Sequence, residues 1–258
     1  MNEIEKYYNK FNEDKRLLSR HGQVEFTITM DYILKTIGDK KSLDILDLGA
    51  GTGRYSNKLH NLGHNVTAVE LVKKNLSVLK QNYPNLKAIQ GNALNLKKLK
   101  DNSFDITLVF GPMYHVFTME DKLKVLSEAK RVTKPNGYIF VAYLMNEYAV
   151  ITYAFKEKNL LNCIKEGKLT DNFETKTNEQ DLYSYIRLEQ INELNNIAKL
   201  KREKIIAVDG PTDYIRPVIN KMTEEEFNIS IQYQKSICER QDLIGASSHT
   251  RDILKNIK

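Results

Sequence analysis

The stretch that most constrains this chain runs from Leu43 to Leu71, LDILDLGAGTGRYSNKLHNLGHNVTAVEL. Its apolar opening, Leu43 to Leu48, has the length and composition of a strand buried on both faces of a parallel sheet. The loop Gly49-Ala50-Gly51-Thr52-Gly53 follows, then a helical segment from Arg54 to Leu62 that Gly63 stops. A second strand, Asn65 to Leu71, carries Glu70 near its end, 21 positions after Gly49 (70 − 49). The order predicts a β-loop-α-β unit with an acid closing its second strand.

Two cofactor classes use such a unit. A dinucleotide site wants G-x-G-x-x-G, the third glycine letting helix and strand pack closely. Counted from Gly49 that third position is Arg54, and the glycine falls one residue earlier, at Gly53. Charge points the same way. Asp47 stands just before the loop, where a carboxylate repels a pyrophosphate but attracts an ammonium. S-adenosyl-L-methionine (SAM) brings an ammonium, a sulfonium and a ribose with two hydroxyls, and no phosphate. Glu70 suits that ribose, because an ionised carboxylate only accepts and takes both hydroxyl protons.

The run D-L-G-A-G-T-G at Asp47 to Gly53, with Glu70 ending the next strand, resembles the first two motifs of class I SAM-dependent methyltransferases. Three glycines alone would equally make a turn in an unrelated α/β domain. Asp47, Glu70 and the strand-turn-helix context separate the two readings. The passage EDKRLLSRHGQVEFTITMDYI near the N-terminus resembles the leader of a bacterial, small-molecule-type group within that family, many of its members without an assigned substrate. The resemblance implies a SAM cofactor held by Asp47, Gly49, Ala50, Gly51, Gly53, Glu70 and Leu71. It implies further cofactor contacts at Asn92, Ala93 and Phe110.

The rest of the chain repeats the alternation. Residues 1 to 40 read as two helices, one with Tyr7, Tyr8, Phe11, Leu17 and Leu18 on its apolar face, the next with Val24, Phe26, Met30, Ile33 and Leu34. Of their polar residues, Arg16, Arg20, His21 and Glu25 are candidates for gripping the SAM carboxylate or the substrate, against the plainer reading of surface charges. A helix over 72–83 ends before Pro84, and Leu86 to Gln90 reads as a third strand. Asn92, just past it, both donates and accepts as an adenine edge requires, although Gly91-Asn92 is equally good turn chemistry. Phe104 to Phe110 is a fourth strand, ending in Gly111-Pro112-Met113-Tyr114-His115. Thr118 with Asp121 starts a helix to Val132, and Pro135-Asn136-Gly137 turns into a fifth strand, Tyr138 to Leu144. Glu147 to Glu166 reads as one helix with an apolar face of Tyr148, Ile151, Tyr153, Phe155, Leu160 and Leu161, and Leu182 to Ile186 as a strand. A helix from Leu188 to Leu200, a strand from Lys204 to Val208, a helix capped by Thr223 and Glu226, and a tail from Leu243 offering a seventh strand complete the chain.

The expectation is one α/β domain over residues 1–258: a doubly wound, mostly parallel seven-stranded sheet of the Rossmann-like methyltransferase type with an inserted helical cap. Its parts are an N-terminal helical lid (1–40), a SAM-binding core (41–144), the cap (145–186) and the rest of the core (187–258). Strand ends one to four carry Gly49, Glu70, Asn92 and Gly111, which places them in one crevice where strand order reverses.

Methyl transfer from a sulfonium is an in-line displacement with a good leaving group, so a base matters only for a hydroxyl, thiol or protonated amine. His115 is the candidate base, since an ordinary imidazole titrates near 6.5. Tyr114 is the candidate for orienting the acceptor or facing the sulfonium with its ring. His115 is expected to face the segment from Tyr148 to Phe155. Gly111 stands where nucleobase amino methyltransferases carry an Asn or Asp, so DNA adenine methylation is disfavoured.

Composition narrows the partners. At 41% hydrophobic and 28% charged the chain reads as a water-soluble globular protein, and no apolar run spans a membrane. Its charged N-terminus lacks the apolar core of a secretory signal, so it reads as cytoplasmic. Cys163 and Cys238 have no paired spacing, which suggests neither a disulfide framework nor a zinc site, and no metal is expected. A net charge of +6 with lysines at 97, 98, 100, 199, 201 and 204 keeps nucleic acid open as a partner. Interleaved Leu, Ile and acids favour a solvated surface. The leading reading is a small-molecule methyltransferase; an RNA or protein methyltransferase and a SAM-binding protein without turnover are the alternatives. The spacing says nothing of oligomeric state.

Overall fold

The computed structural model describes Tyr7 and residues 19–258. The expected first helix, with Tyr8, Phe11, Arg16, Leu17 and Leu18, lies outside the described residues. The first described helix, α1 (Arg20–Ile37), is capped by Ser19, whose Oγ accepts from Gly22 N, and ends at Gly38 with φ 58°. Ile28, Ile33 and Ile37 are buried along it, whereas Leu34, expected on the same face, is 41% exposed. At 100° per residue Leu34 falls beside the buried stripe, and Tyr32 occupies the place it was assigned.

Seven strands form one sheet: β1 (Asp44–Leu48), β2 (Asn65–Glu70), β3 (Lys87–Gln90), β4 (Phe104–Val109), β5 (Thr133–Leu144), β6 (Lys201–Ala207) and β7 (His249–Lys255). Their order is β3-β2-β1-β4-β5-β7-β6. The first five run parallel, and β7 inserts antiparallel between β5 and β6. Chain order runs outward from β1 through β2 to β3, then crosses back to β4, so the topological switch lies between β1 and β4.

Both faces of the sheet are covered, which is why its strands read as apolar runs rather than alternations. Ile45, Ile106, Phe140 and Ile253 point to one core with α1, α2 (Arg54–Asn61), α3 (Lys73–Asn82) and a late helix, Glu224–Ile237. Leu46, Leu48, Val109 and Val141 point to the other, under α4 (Met119–Val132) and the helix Leu188–Ala198. These last two are α7 (Leu188–Ala198) and α9 (Glu224–Ile237), counting the short helices below. Thr118 and Thr223 cap α4 and α9 as their spacing predicts, and Thr223 with Glu226 makes a full capping box.

Three segments differ from expectation. Strand β5 starts at Thr133, before the Pro135-Asn136-Gly137 turn, because a bulge opposite Phe104 and Ile106 lets pairing resume across it. The single helix expected over 147–166 is broken into α5 (Asn146–Ala149), a π-helical stretch Val150–Lys156, a turn with Lys158 at φ 60°, and α6 (Leu160–Lys165). Its supposed apolar face is largely outside: Leu161 is 80% exposed and Tyr153 and Phe155 are exposed too. Leu182 to Ile186 is not a strand, only a chain segment with one bridge, Met145 to Ile186. Residues 201–255 add β6 and β7 to the same sheet, joined by α8 (Arg216–Ile219) and α9. Among the described residues no helix is long and apolar enough to cross a membrane, and both cysteines are free and buried.

Candidate active site

The turn after β1 is built by backbone. Gly49 (φ 73°) and Ala50 both donate to Val69 O, at 2.9 and 3.1 Å, which lays the loop across the end of β2. A Cβ on Gly49 would stand 2.8 Å from Pro112 Cδ, so only glycine lets the first and fourth strand ends approach this closely. Gly53, left-handed at φ 94°, caps α2.

Glu70 ties the loop to the second strand: Oε2 accepts from Gly51 N at 2.8 Å and Oε1 from Val72 N at 2.7 Å. Burial pushes its carboxyl up to about 7, against the pull of those two N–H groups. Asp47 is fully buried beneath the loop and accepts from Ser56 Oγ at 2.6 Å; burial raises it to about 6. Asn92 Oδ1 caps Leu94 N at 2.9 Å, so the turn role holds, and its amide nitrogen and second lone pair remain polar surface on the cavity.

Beyond β4 the chain makes a 3₁₀ turn, Pro112–Tyr114. Tyr114 Oη donates to Phe110 O at 2.6 Å, which fixes the ring and commits its proton. His115 Nδ1 lies 2.9 Å from Leu182 O. A carbonyl only accepts, so Nδ1 carries the hydrogen and Nε2 the lone pair. Burial holds this imidazole down to about 4. The expectation of a titration near 6.5 is therefore corrected. The ring stacks among Tyr114 (centroids 4.9 Å) and Tyr183 (5.4 Å), and Tyr7 packs on Tyr183 at 6.2 Å.

The wall facing His115 is also not the one expected. Glu179 and Asp181 line the cavity, and Tyr148 to Phe155 do not. Tyr148 packs on Tyr214 and accepts from Arg216 instead. The segment around 184 is pinned over the turn by Ser184, whose N donates to Tyr114 O, and by the buried ammonium of Lys122, which reaches Ser184 Oγ and Val116 O.

One cavity of about 400 Å³ collects these groups. Asp47, Gly49, Ala50, Gly51, Glu70, Leu71, Asn92, Ala93, Phe110, Tyr114 and His115 all line it. Gly53 sits behind the loop, against Leu79 and Tyr83. Of the polar candidates in the leader, Glu25 reaches the cavity. Arg20 and His21 turn away to Thr223, Glu224 and Asn220, and Arg16 lies outside the described residues. Sequence reasoning missed Asn75, Tyr55, Asp121 and Arg251, which line the cavity as well. Asn75 and Tyr55 sit at helical spacing where any polar residue is unremarkable. Arg251, in the polar run His249-Thr250-Arg251-Asp252 of β7, gives no sign in the sequence that its strand is central and buried. Away from the cavity, Asp209, Asp213 and His249 converge, with their atoms engaged by Ser247, Arg216 and one another.

Residues 46–141 match the family model of the methyltransferase domain. Solved structures share the architecture over nearly the whole chain. A SAM-dependent methyltransferase from Thermotoga maritima is 18% identical, with a TM-score of 0.63 over 98% of this chain and 97% of that one. One from Methanosarcina mazei is 15% identical (TM-score 0.57; 87% and 97% covered), and one from Mesorhizobium loti 12% identical (TM-score 0.58; 90% and 99% covered). At these identities the structures speak for the fold, and the matched domain model speaks for the activity. No curated protein matches the sequence. The protein is a class I SAM-dependent methyltransferase. Its cofactor is S-adenosyl-L-methionine.

Proposed function

We propose that this enzyme methylates a small-molecule acceptor by in-line displacement at the methyl of SAM. The observation that carries the proposal is the shape of the site. The loop, Glu70 and Asn92 stand at one end of a single cavity, and Tyr114 and His115 at the other, under a wall that includes Glu179 and Asp181. Its volume of about 400 Å³ falls in the range of small-molecule sites. None of the lysines at 97, 98, 100, 199, 201 and 204 lines it, and Lys204 is paired with Glu239. A basic track to the mouth, which a nucleic acid would use, is not built from these residues.

The residues fit the cofactor. Each Glu70 oxygen spends one lone pair on a backbone N–H and keeps another, which suits two ribose hydroxyls. Asp47 sets a negative potential under the loop for the ammonium, with Gly49, Ala50, Gly51 and Gly53 keeping the backbone close. Asn92 offers its amide to the adenine edge, and Leu71, Ala93 and Phe110 flank it. Bound there, SAM supplies an electrophilic methyl on a sulfonium whose departure leaves a neutral thioether. The chain's task is then positioning, which alone can supply roughly 7–11 kcal/mol. Tyr114 presents its ring, since its hydroxyl is held by Phe110 O. His115 Nε2 receives the acceptor's proton, and with a pKa of about 4 the ring stays neutral at physiological pH. In this reading residues 1–40 are a lid, 145–186 a cap over the acceptor end, and 187–258 complete the core of one domain.

Methyl-labelled SAM offered with a panel of amines, phenols and thiols should label a small-molecule product. Label that appears instead in added RNA, bound with submicromolar affinity at physiological salt, would overturn the acceptor class.

A further inference from the structure

The end of the cavity nearest α1 holds an arrangement that the cofactor motifs do not use. Arg251 is 1% exposed in the centre of β7. Its guanidinium lies 4.7 Å from the Phe110 ring, donates to Thr250 O at 3.1 Å, and meets Glu25 Oε1 at 2.5 Å. Tyr55 packs between Phe26 and Phe110, with ring centroids 4.9 and 5.0 Å away, and Arg54 covers the far face of Phe26 at 4.0 Å. Three polar atoms here are buried without a hydrogen-bond partner: Arg251 Nε, Tyr55 Oη and Thr29 Oγ1. Thr29 and Arg251 both lie close enough to Tyr55 to act on its hydroxyl, yet none is aligned with another.

Buried polar atoms left alone are costly, so three in one place call for a ligand that supplies what they lack. A guanidinium N–H can only donate, and both hydroxyls are able to donate with it. The missing partner is therefore an acceptor, not an ammonium. Charge selects further. Among the described side chains, Arg54 and Arg251 against Glu25 leave one net positive charge (2 − 1), which a monoanion balances. A phosphate dianion would exceed it in a cavity that already holds Asp47 and Glu70.

We propose that Arg251, Tyr55 and Thr29 form a carboxylate-binding pole at this end of the cavity. The proposal rests on the small-molecule reading above and deepens it. The carboxylate belongs either to the acceptor, making the substrate an organic acid, or to the amino-acid end of SAM; both have the same chemistry.

The test uses the full chain and two variants that remove orphaned donors while leaving the Glu25–Arg251 pair intact, Tyr55→Phe and Thr29→Val. Circular dichroism checks that both fold. Calorimetry follows S-adenosylhomocysteine, 5′-methylthioadenosine (which has no carboxylate) and benzoate, the last with and without S-adenosylhomocysteine present. If the carboxylate is the cofactor's, Tyr55→Phe weakens S-adenosylhomocysteine roughly tenfold to a hundredfold, as for a hydrogen bond to a charged group, and leaves 5′-methylthioadenosine unchanged. If it is the acceptor's, S-adenosylhomocysteine binds as before, while benzoate, but not benzyl alcohol, binds the native chain and is weakened by the same factor in the variants. Folded variants that bind S-adenosylhomocysteine and benzoate as the native chain does would overturn the proposal, as would a native chain indifferent to benzoate whose variants keep their S-adenosylhomocysteine affinity. A native chain that fails to bind S-adenosylhomocysteine would sink the cofactor roles given to Glu70 and Asp47, and the benzoate arm would still decide the pole.

Discussion

The two ends of the cavity are built in opposite ways. The cofactor end draws Asp47, Gly49, Gly51, Glu70 and Asn92 from one continuous stretch, and most of its geometry is backbone: N–H groups of Gly51 and Val72 on Glu70, and of Gly49 and Ala50 on Val69 O. The acceptor end draws Glu25 from α1, Tyr55 from α2, His115 from beyond β4, Asp181 from the segment over it and Arg251 from β7. Backbone geometry set by a local motif is hard to change without losing the fold. Side chains assembled from five distant places can be exchanged one at a time. The difference separates the fixed half of such an enzyme from the half that selects its acceptor.

The predictions probe that contrast, beginning with the acceptor end. His115→Ala should lower the single-turnover rate roughly 10²–10⁴-fold with SAM affinity nearly unchanged, if the ring is the base. Because burial holds its pKa near 4, the native rate should show no histidine titration between pH 6 and 8. A fall in rate centred near 6.5 would mean that the ring is more hydrated than this packing allows. Full activity in the variant would leave positioning as the whole mechanism.

Next in size is a stability effect. Arg251→Met strands the buried Glu25 carboxylate and should cost about 3–5 kcal/mol in urea unfolding, with much of it recovered on adding Glu25→Gln. A silent single variant would show that this end is wetter than its exposure implies.

At the cofactor end, Glu70→Ala should weaken SAM by about 1.5–3 kcal/mol. Unchanged affinity in a folded variant would place the ribose elsewhere. Smallest is a control far from both ends: Thr223→Ala removes the α9 capping box and should cost about 1 kcal/mol in stability without altering SAM affinity.

The same contrast explains what the sequence reveals. The β1-loop-α2-β2 unit is legible because strand length, glycine spacing and a terminal acid are local signals, and the structure places each within a residue or two of its expected bounds. Helices α4 and α9 are legible through their caps. Leu182 to Ile186 is misread because its β-rich composition is used for packing on the 112–116 turn, through Ser184 and Tyr183, and not for sheet pairing. Arg251 is invisible because a charged residue in a strand signals an exposed face unless its partner is known, and Glu25 is 226 residues away. The wall facing His115 is misplaced for a related reason: Tyr148 finds Tyr214 and Arg216, which no local pattern connects to it.

The central claim, that Glu70 receives the ribose of SAM as a carboxylate, is tested most directly by the pH dependence of SAM affinity in the native chain and in Glu70→Gln. In the empty site burial raises this carboxyl to about 7, so below that pH it is mostly protonated and must lose its proton to accept two hydroxyls. Calorimetry should therefore find SAM weakening by about tenfold for each pH unit below 7, with one proton released on binding, and a plateau above it. In Glu70→Gln the affinity should be lower at pH 8 and that proton release should vanish. Equal affinity from pH 5.5 to 8 in the native chain, or the same pH dependence in both proteins, would contradict the assignment.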